Sequence, residues 1–241
     1  MAPVLFVSDV HLAAVRPATG ALFLRFLREC ASDASALYIL GDLFEYWVGD
    51  DDHADRLNEA VLDALAETSR AGVSIAFMPG NRDFMLGAAA ARRAGMTILA
   101  DPTRIDVLGR PTLLMHGDTL CIDDVGYQKY RARVRTPRNM RLLASLPLAW
   151  RYGIARYLRN KSERRRSIKT ETIMDVNQSA VHQVLRESGV SLLIHGHTHR
   201  PARHRQTIDG RACERIVLTD WHEQGGYLRC TEDSIELLEF A

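Results

Sequence analysis

The chain has 241 residues, 46% of them hydrophobic, and a formal net charge of +1 at pH 7. That length allows one large α/β domain or a domain with an insertion, and the charge argues against a protein that binds polyanions over its whole surface. No run approaches the ~20 apolar residues of a membrane span, and the first residues lack the basic start of a signal peptide, so we expect a soluble or peripheral protein. Four scattered cysteines favour a reducing compartment: Cys30, Cys121, Cys213 and Cys230.

Short apolar runs alternate with amphipathic segments along most of the chain. The runs predict strands at residues 4–7, 37–40, 73–77, 113–115 and 192–194, and helical spacing predicts helices at 21–30, 55–70 and 172–187. Beyond residue 202 the turn signals Asp209-Gly210 and Gly225-Gly226 favour antiparallel hairpins. We therefore predict an α/β fold of mixed sheets flanked by helices.

Polar side chains typical of metal sites follow five of these strands. The clusters are Asp9-Val10-His11, Gly41-Asp42, Gly80-Asn81, His116-Gly117-Asp118 and His195-Gly196-His197-Thr198-His199. Ligand sites in open α/β sheets lie at the carboxyl ends of strands, so we expect these clusters to meet. Carboxylate, amide and imidazole together suit Mn²⁺, Fe²⁺, Co²⁺ or Zn²⁺. The two oxygens of Asp42 are able to bridge two cations ~3.5–4 Å apart, the spacing of two-metal hydrolases.

Two residues of these clusters have more than one interpretation. His195 lies one strand step before His197 on the same face, so metal ligation, a contact behind the ligands and a substrate contact all remain open. Asp118 either orients a histidine ligand or serves only the turn.

The order of the five clusters resembles the calcineurin-like metallophosphoesterase superfamily, over residues 9 to 199. The resemblance implies a layered sandwich of mixed sheets with a two-metal site. It places one metal on Asp9, His11, Asp42 and His199, and the other on Asp42, Asn81, His116 and His197. We expect the catalytic residues to be Asp42, Asn81, Arg82 and His116.

Arg82 departs from the general pattern of that superfamily, in which a histidine commonly follows the asparagine. Arginine does not act as an acid near neutral pH, so it cannot protonate a poor leaving group. The departure favours a phosphate leaving from a pyrophosphate, whose second pKa is only ~6. Arg82 is then expected to hold phosphate oxygens in a forked contact.

Residues 122–170, which we call the lid, lack any strand-like pattern. Between Val125 and Thr170 fourteen Lys or Arg accompany one acid, Glu163, a net charge of +13 against −12 for the rest of the chain. Interleaved leucines and aromatics predict amphipathic helices broken at Pro137 and Pro147. We expect residues 1–121 and 171–241 to form the core and 122–170 an inserted helical lid.

Three interpretations of the lid compete. A solvated basic face leaves the many leucines and aromatics unexplained, and nucleic-acid binding would use arginine and tyrosine on phosphate and base. We favour a lid that grips an anionic, acylated substrate and rests on an anionic membrane surface, because cationic and apolar residues together match a lipid carrying phosphates.

Within the superfamily, Gly80-Asn81-Arg82-Asp83, the inserted helices and the run Ile173-Met174-Asp175-Val176-Asn177 look like the UDP-2,3-diacylglucosamine pyrophosphatases of lipid A biosynthesis. That resemblance implies two Mn²⁺ per chain and attack of water on the α-phosphorus, giving UMP and 2,3-diacylglucosamine 1-phosphate. It implies a peripheral protein on the cytoplasmic face of the bacterial inner membrane, with no nucleic acid and no obligate protein partner. The substrate contacts map onto Asn81, Arg82, Asp124, Ser162, Arg166, Lys169 and His197. The run Arg164-Arg165-Arg166 leaves the register at Arg166 ambiguous.

Two alternatives remain open. A soluble metallophosphoesterase could act on dinucleoside polyphosphates or cyclic nucleotides, and would be indifferent to loss of the lid. A scaffold of the same fold without catalysis would show gaps in the ligand set, and the seven positions show none.

Overall fold

The computed structural model describes residues 2–166 and 175–241, with the backbone alone for residues 161–166. Its strands are β1 (Val4–Val7), β2 (Ala36–Leu40), β3 (Ser74–Met78), β4 (Met96–Ile98), β5 (Thr103–Val107), β6 (Arg110–Met115), β7 (Leu192–His195), β8 (Ala202–Ile208), β9 (Arg211–Val217), β10 (Gly225–Cys230) and β11 (Ile235–Phe240). Its helices are α1 (Pro17–Glu29), α2 (Arg56–Arg70), α3 (Ala88–Arg93), α4 (Val125–Val134), α5 (Pro137–Ala144), α6 (Leu148–Arg166) and α7 (Gln178–Ser188).

The strands form two mixed sheets. The first has the order β11-β10-β1-β2-β3-β4, and the second β5-β6-β7-β9-β8. Strands β1 to β4 are parallel to one another, as are β6, β7 and β9, while β10, β11, β5 and β8 pair antiparallel. The predicted α/β class with mixed sheets flanked by helices is confirmed.

The alternation of side chains along β1 explains how the layers pack. Phe6 faces the second sheet and packs with Leu114 and Ile194, whereas Leu5 and Val7 face the opposite way into the cluster that contains Phe26 of α1. Because successive side chains of a strand point to opposite faces, one buried strand serves both layers. On the far side, α7 packs through Val181 and Leu185 onto Leu193 of β7.

One of the two predicted turns is wrong. Gly225 and Gly226 begin β10 and form no turn. The ring of the buried Trp221 lies where a Cβ of Gly225 would stand, and its Nε1 donates to the Gly226 carbonyl at 3.0 Å, so the glycines make room for this ring. The turn between β10 and β11 instead lies at Thr231 and Ser234. The hairpin at Asp209-Gly210 is confirmed, with φ of 51° and 77° at the two residues.

The predicted helix at 172–187 begins later than expected. Asn177 is the N-cap of α7, and its side chain accepts from the backbone N–H groups of Ser179 and Ala180. Such a cap satisfies orphan donors of the first turn and fixes the start of the helix. Residues 172–174 lie outside the described part of the chain.

The lid is helical where the structure describes it. Pro137 is the first residue of α5, and Pro147 directly precedes α6, so the helices are interrupted at both prolines as predicted. Within the described residues, every helix is too short or too polar to cross a bilayer.

Candidate metal centre

The five polar clusters meet because the strands that carry them run side by side. β1, β2 and β3 are adjacent and parallel in the first sheet, and β6 and β7 are adjacent and parallel in the second. Their carboxyl ends therefore share one edge of the sandwich. Along this edge the structure places all seven predicted ligands: Asp9, His11, Asp42, Asn81, His116, His197 and His199.

Asp9, His11 and His199 form a first group, in which the candidate ligand atoms all lie within 4.8 Å of one another. The two Nε2 atoms of His11 and His199 are 3.4 Å apart. A carboxylate oxygen of Asp42 lies 3.9 Å from Nε2 of His11. This is the combination that the sequence predicted for one metal.

Asp42, Asn81 and His116 form a second group. His116 Nε2 lies 3.8 Å from Asp42 Oδ1 and 3.1 Å from Asn81 Oδ1. The ring of His197 packs edge-on against that of His116, with centroids 5.0 Å apart. Asp9 is also close, since Asp9, Asp42 and His116 can share one ion. Asp42 contacts both groups and is placed to bridge them.

The hydrogen bonds and charges around the His116 ring show that a cation fits this group. Its Nδ1 lies 2.9 Å from the Leu40 carbonyl, which only accepts, so Nδ1 must carry a proton. In the neutral ring Nε2 then has a lone pair that faces the lone pairs of Asn81 Oδ1, an arrangement that a cation between them would satisfy. Although burial opposes charge, the carboxylates of Asp42, Asp118 and Asp9 raise the pKa of His116 to about 9, so that without a metal ion a proton on Nε2 takes the place that the cation would fill. The group favours positive charge.

Asp9 supports the same conclusion. One carboxylate oxygen accepts from the Ser8 hydroxyl at 2.6 Å and from the His197 backbone N–H at 2.8 Å. The other oxygen is buried and has no hydrogen-bond partner among the described residues. Buried charged oxygens are costly without a partner. The donor set therefore fits divalent metal ions.

The backbone at these residues adopts an uncommon conformation. Positive φ angles of 52–71° occur at Asp9, His11, Asp42, His197 and His199. Few non-glycine residues adopt this region, and such residues cluster at functional sites. These turns bring the five side chains together at the strand ends. The spacing of the residues in the sequence did not predict this backbone conformation.

Two glycines permit the close approach of the turns. A Cβ at Gly196 would collide with the Asp9 carboxylate and the Ser8 hydroxyl, and one at Gly80 would collide with Asp42. The absence of a side chain at Gly196 and Gly80 therefore leaves room for the ligands at the strand ends.

Asp83 is a residue whose role was not predicted. It is fully buried, and its carboxylate accepts from the backbone N–H groups of Gly80 at 2.8 Å and Leu43 at 2.7 Å, with a longer contact to the Asp42 N–H. Burial and the charge of Asp42 raise the pKa of Asp83 to about 6. Asp83 thus holds together the turns that carry Asp42 and Asn81.

His195 does not face the candidate ligands. Its Nδ1 donates to the Gly196 carbonyl at 2.8 Å, so its Nε2 accepts from Nη1 of Arg215 at 3.1 Å. Burial and the Arg215 charge lower the pKa of His195 to about 3. With both nitrogens occupied, the ring is a neutral support beneath the site.

Asp118 contacts the lid. Its carboxylate accepts from Arg131 Nε at 2.7 Å and from the Tyr127 hydroxyl, and Arg135 Nη2 lies 3.6 Å away. Among the described residues its hydrogen bonds go to these lid groups and not to a histidine. The charges of His116, His197 and the two arginines nevertheless outweigh its burial and hold its pKa well below the usual range.

The lid's basic side chains are partly neutralised by acids of the core. Besides Arg131 and Arg135 on α4, Arg151 on α6 is buried and pairs with Asp51 through both terminal nitrogens. The positive charge of the lid and the negative charge of the rest of the chain, +13 and −12 in the sequence, are therefore partly paired across the contact between lid and core. The sequence did not predict these pairs.

The predicted substrate contacts divide into three sets. Asn81, Arg82 and His197 lie at the strand edge, where the Arg82 N–H donates to Asp42 at 2.8 Å. Asp124 is the N-cap of α4 and accepts from the Tyr127 N–H at 3.1 Å. The side chains of Ser162, Arg166 and Lys169 lie outside the described part of the chain.

Layered mixed sheets with carboxylate, amide and imidazole groups at a shared strand edge define a metal-dependent phosphoesterase. The sequence profile of the calcineurin-like phosphoesterases matches residues 2–201, and the chain belongs to this family of hydrolases. It is 53% identical over 225 residues to the UDP-2,3-diacylglucosamine hydrolase of Aromatoleum aromaticum, across 93% of this chain and 91% of that protein. The enzymes of the same name from Aeromonas salmonicida and Cellvibrio japonicus are 51% and 49% identical, across 94% and 97% of this chain and 89% and 97% of their own lengths. The family predicted from the five clusters is confirmed.

Proposed function

We propose that this chain hydrolyses the pyrophosphate bond of UDP-2,3-diacylglucosamine, by attack of water on the α-phosphorus, to give UMP and 2,3-diacylglucosamine 1-phosphate. The observation that carries the proposal is the meeting of all seven candidate ligands beside Arg82 at one strand edge. Relatives that are about half identical over nearly the whole chain are UDP-2,3-diacylglucosamine hydrolases by name, which supports this substrate.

Two divalent ions, which we propose to be Mn²⁺, would activate water and neutralise charge on the phosphoryl oxygens when bound. We assign one to Asp9, His11, Asp42 and His199, and the other to Asp42, Asn81, His116 and His197. The Leu40 carbonyl fixes the tautomer of His116, and Ser8 and the His197 N–H fix one oxygen of Asp9. These contacts hold the remaining lone pairs toward the centre before any ion arrives.

Arg82 would bind the phosphate that leaves. Its backbone N–H is held by Asp42 at 2.8 Å, and its Nη1 lies 3.6 Å from a carboxylate oxygen of Glu45. A guanidinium in this position stabilises negative charge without giving up a proton. A pyrophosphate ester suits it better than a phosphomonoester, because the leaving phosphate needs no protonation.

We further propose that residues 122–170 form the lid over this core and hold the acylated sugar, with Asp124, Ser162, Arg166 and Lys169 among the contacts. On the described part of the lid, Leu142, Trp150 and Tyr157 are exposed by 64%, 67% and 64%. Exposed arginines of the same helices accompany them: Arg138, Arg141 and Arg156. Apolar and cationic groups together support our proposal that the protein binds an anionic membrane surface, the cytoplasmic face of the inner membrane.

A substrate panel tests this function directly. Purified protein with Mn²⁺ is incubated with UDP-2,3-diacylglucosamine, with dinucleoside polyphosphates and with cyclic nucleotides. We expect turnover of the first, loss of that turnover on chelation, and its abolition in Asp42→Ala with an unchanged circular dichroism spectrum. Preferential turnover of the other two substrates would favour the soluble phosphoesterase, and no metal binding or turnover at all would favour the scaffold.

A further inference from the structure

Glu45 lies behind the metal centre, and its carboxylate contacts four side chains from three parts of the chain. The residue follows β2, is only 7% exposed, and its N–H donates to the Leu12 carbonyl at 2.9 Å. The residues around its carboxylate are His11, Arg16, Arg82 and Arg159.

One carboxylate oxygen of Glu45 faces the first candidate metal group. It lies 3.4 Å from Nδ1 of His11 and 3.0 Å from Nη2 of Arg16. Among the described residues, His11 Nδ1 has no other polar partner. An anion at Nδ1 favours the tautomer that is protonated there, which leaves the Nε2 lone pair directed at Asp9, Asp42 and His199.

The other oxygen of Glu45 links the centre to the lid. It lies 3.6 Å from Arg82 Nη1 and 3.5 Å from Nε of Arg159 on α6. Two guanidinium groups this close would repel each other without the shared carboxylate. The same helix has a second attachment away from the centre, the pairing of Arg151 with Asp51.

We propose that Glu45 is a positioning residue that orients His11 toward the metal and ties α6 to the centre through Arg159, so that metal binding and closure of the lid helix are coupled. The inference rests on the proposed metal centre and not on the identity of the substrate. A cation bound at Nε2 of His11 would make the Nδ1–H a stronger donor to Glu45, whose carboxylate would then be fixed in the position that Arg159 contacts.

Three variants separate the parts of this coupling. Glu45→Gln keeps the shape and removes the charge, Arg159→Met removes the link between Glu45 and the lid, and Asp51→Asn loosens α6 at its other attachment as a matched control. Mn²⁺ affinity is measured by calorimetry, and the exposure of α6 by amide hydrogen exchange with and without Mn²⁺. Neither readout requires turnover, so a failure of the coupling and a failure of the proposed substrate are distinguishable.

We expect Glu45→Gln to weaken Mn²⁺ binding roughly 10- to 100-fold, the usual effect of losing a carboxylate behind a metal-binding histidine. Wild type should show slower exchange in α6 when Mn²⁺ is added, and Arg159→Met should lose that response and bind Mn²⁺ more weakly by the same factor, because coupling between two sites is reciprocal. Asp51→Asn should speed exchange in α6 at unchanged Mn²⁺ affinity. The proposal is overturned if Glu45→Gln binds Mn²⁺ as wild type does, if Asp51→Asn loses as much affinity, or if α6 exchange in wild type ignores Mn²⁺. Should Glu45→Gln fail to fold, Arg159→Met still decides the link to the lid.

Discussion

Nδ1 of His199 lies 3.0 Å from a carboxylate oxygen of Asp220. The same oxygen lies 2.9 Å from Nε2 of the more exposed His222. On the other side of the ring, His199 Nε2 is 3.6 Å from Asp9. A carboxylate on one nitrogen of a histidine fixes the tautomer that presents the other nitrogen to a metal. The Asp220 carboxylate therefore contacts Nδ1 of His199 in the same way that the Glu45 carboxylate contacts Nδ1 of His11.

Replacing Asp220 with asparagine should weaken metal binding. An amide keeps the shape of the side chain but loses the charge that favours a protonated Nδ1. We expect Asp220→Asn to raise the Kd for Mn²⁺ by roughly 10- to 100-fold in calorimetry. His222→Ala is the matched control, because it removes the neighbour of Asp220 and leaves the contact with His199. Equal affinities of Asp220→Asn and wild type would show that the contact has no role in binding.

Gly196→Ala should disable the centre with little loss of folded protein. Its new Cβ would meet the Asp9 carboxylate and the Ser8 hydroxyl, so the turn must shift. Misplacement of reacting groups by ~1 Å can cost about 100-fold in rate, and we expect at least that loss in kcat/KM. Gly153→Ala on α6 is the control, since nothing lies within 4 Å of its new Cβ. That helical substitution should stabilise the protein by roughly 0.5–1 kcal/mol in urea unfolding. Full activity of Gly196→Ala would exclude the close packing described for this turn.

Loss of Arg131 should destabilise the attachment of the lid. Asp118 is fully buried, and removal of its closest guanidinium leaves the Tyr127 hydroxyl and the longer contact with Arg135. Breaking a buried pair by removing one partner costs about 3–5 kcal/mol. We expect Arg131→Met to lower the free energy of unfolding by about 3 kcal/mol, because Arg135 retains part of the interaction. The exposed Arg133 is the matched control, and Arg133→Met should change stability by less than ~0.5 kcal/mol. Similar stabilities of the two variants would contradict the anchoring role of Asp118.

The exposed apolar side chains of the lid should bind an anionic membrane. Burying a large apolar side chain is worth ~1.5–3 kcal/mol, so Trp150→Ala should reduce partitioning onto vesicles of anionic lipid roughly tenfold in a sedimentation assay. Ile98→Ala on the edge strand β4, where Ile98 is 39% exposed, is the control and should bind as wild type does. If Trp150→Ala binds the vesicles as strongly as wild type does, the apolar side chains of the lid do not contact the membrane.

The sequence was sufficient for features that depend on local pattern. Apolar runs placed β1, β2, β3, β6 and β7, and the polar residues after them supplied the seven candidate ligands. The three-residue β4 was missed because it is too short to show a pattern. β5 was missed although its exposed Arg104 and Asp106 alternate with the less exposed Thr103, Ile105 and Val107.

The supporting residues could not be predicted, since each acts on partners that are distant in the sequence. Glu45 reaches Arg159 on the lid, Arg215 reaches His195, and Asp83 holds the turn of Asp42. The residues next to them in the sequence show no pattern that would identify these partners. The left-handed backbone at Asp9 and Asp42 also went unpredicted, because it is imposed by the crossing of turns from different strands.

Attack on the α-phosphorus of UDP-2,3-diacylglucosamine by water activated at the strand edge is the central step of the proposed reaction. Hydrolysis in ¹⁸O-labelled water with Mn²⁺, followed by mass spectrometry of both products, tests this directly. Label in UMP and none in 2,3-diacylglucosamine 1-phosphate is the predicted result. Label in the sugar phosphate, or no hydrolysis by metal-loaded protein, would contradict it.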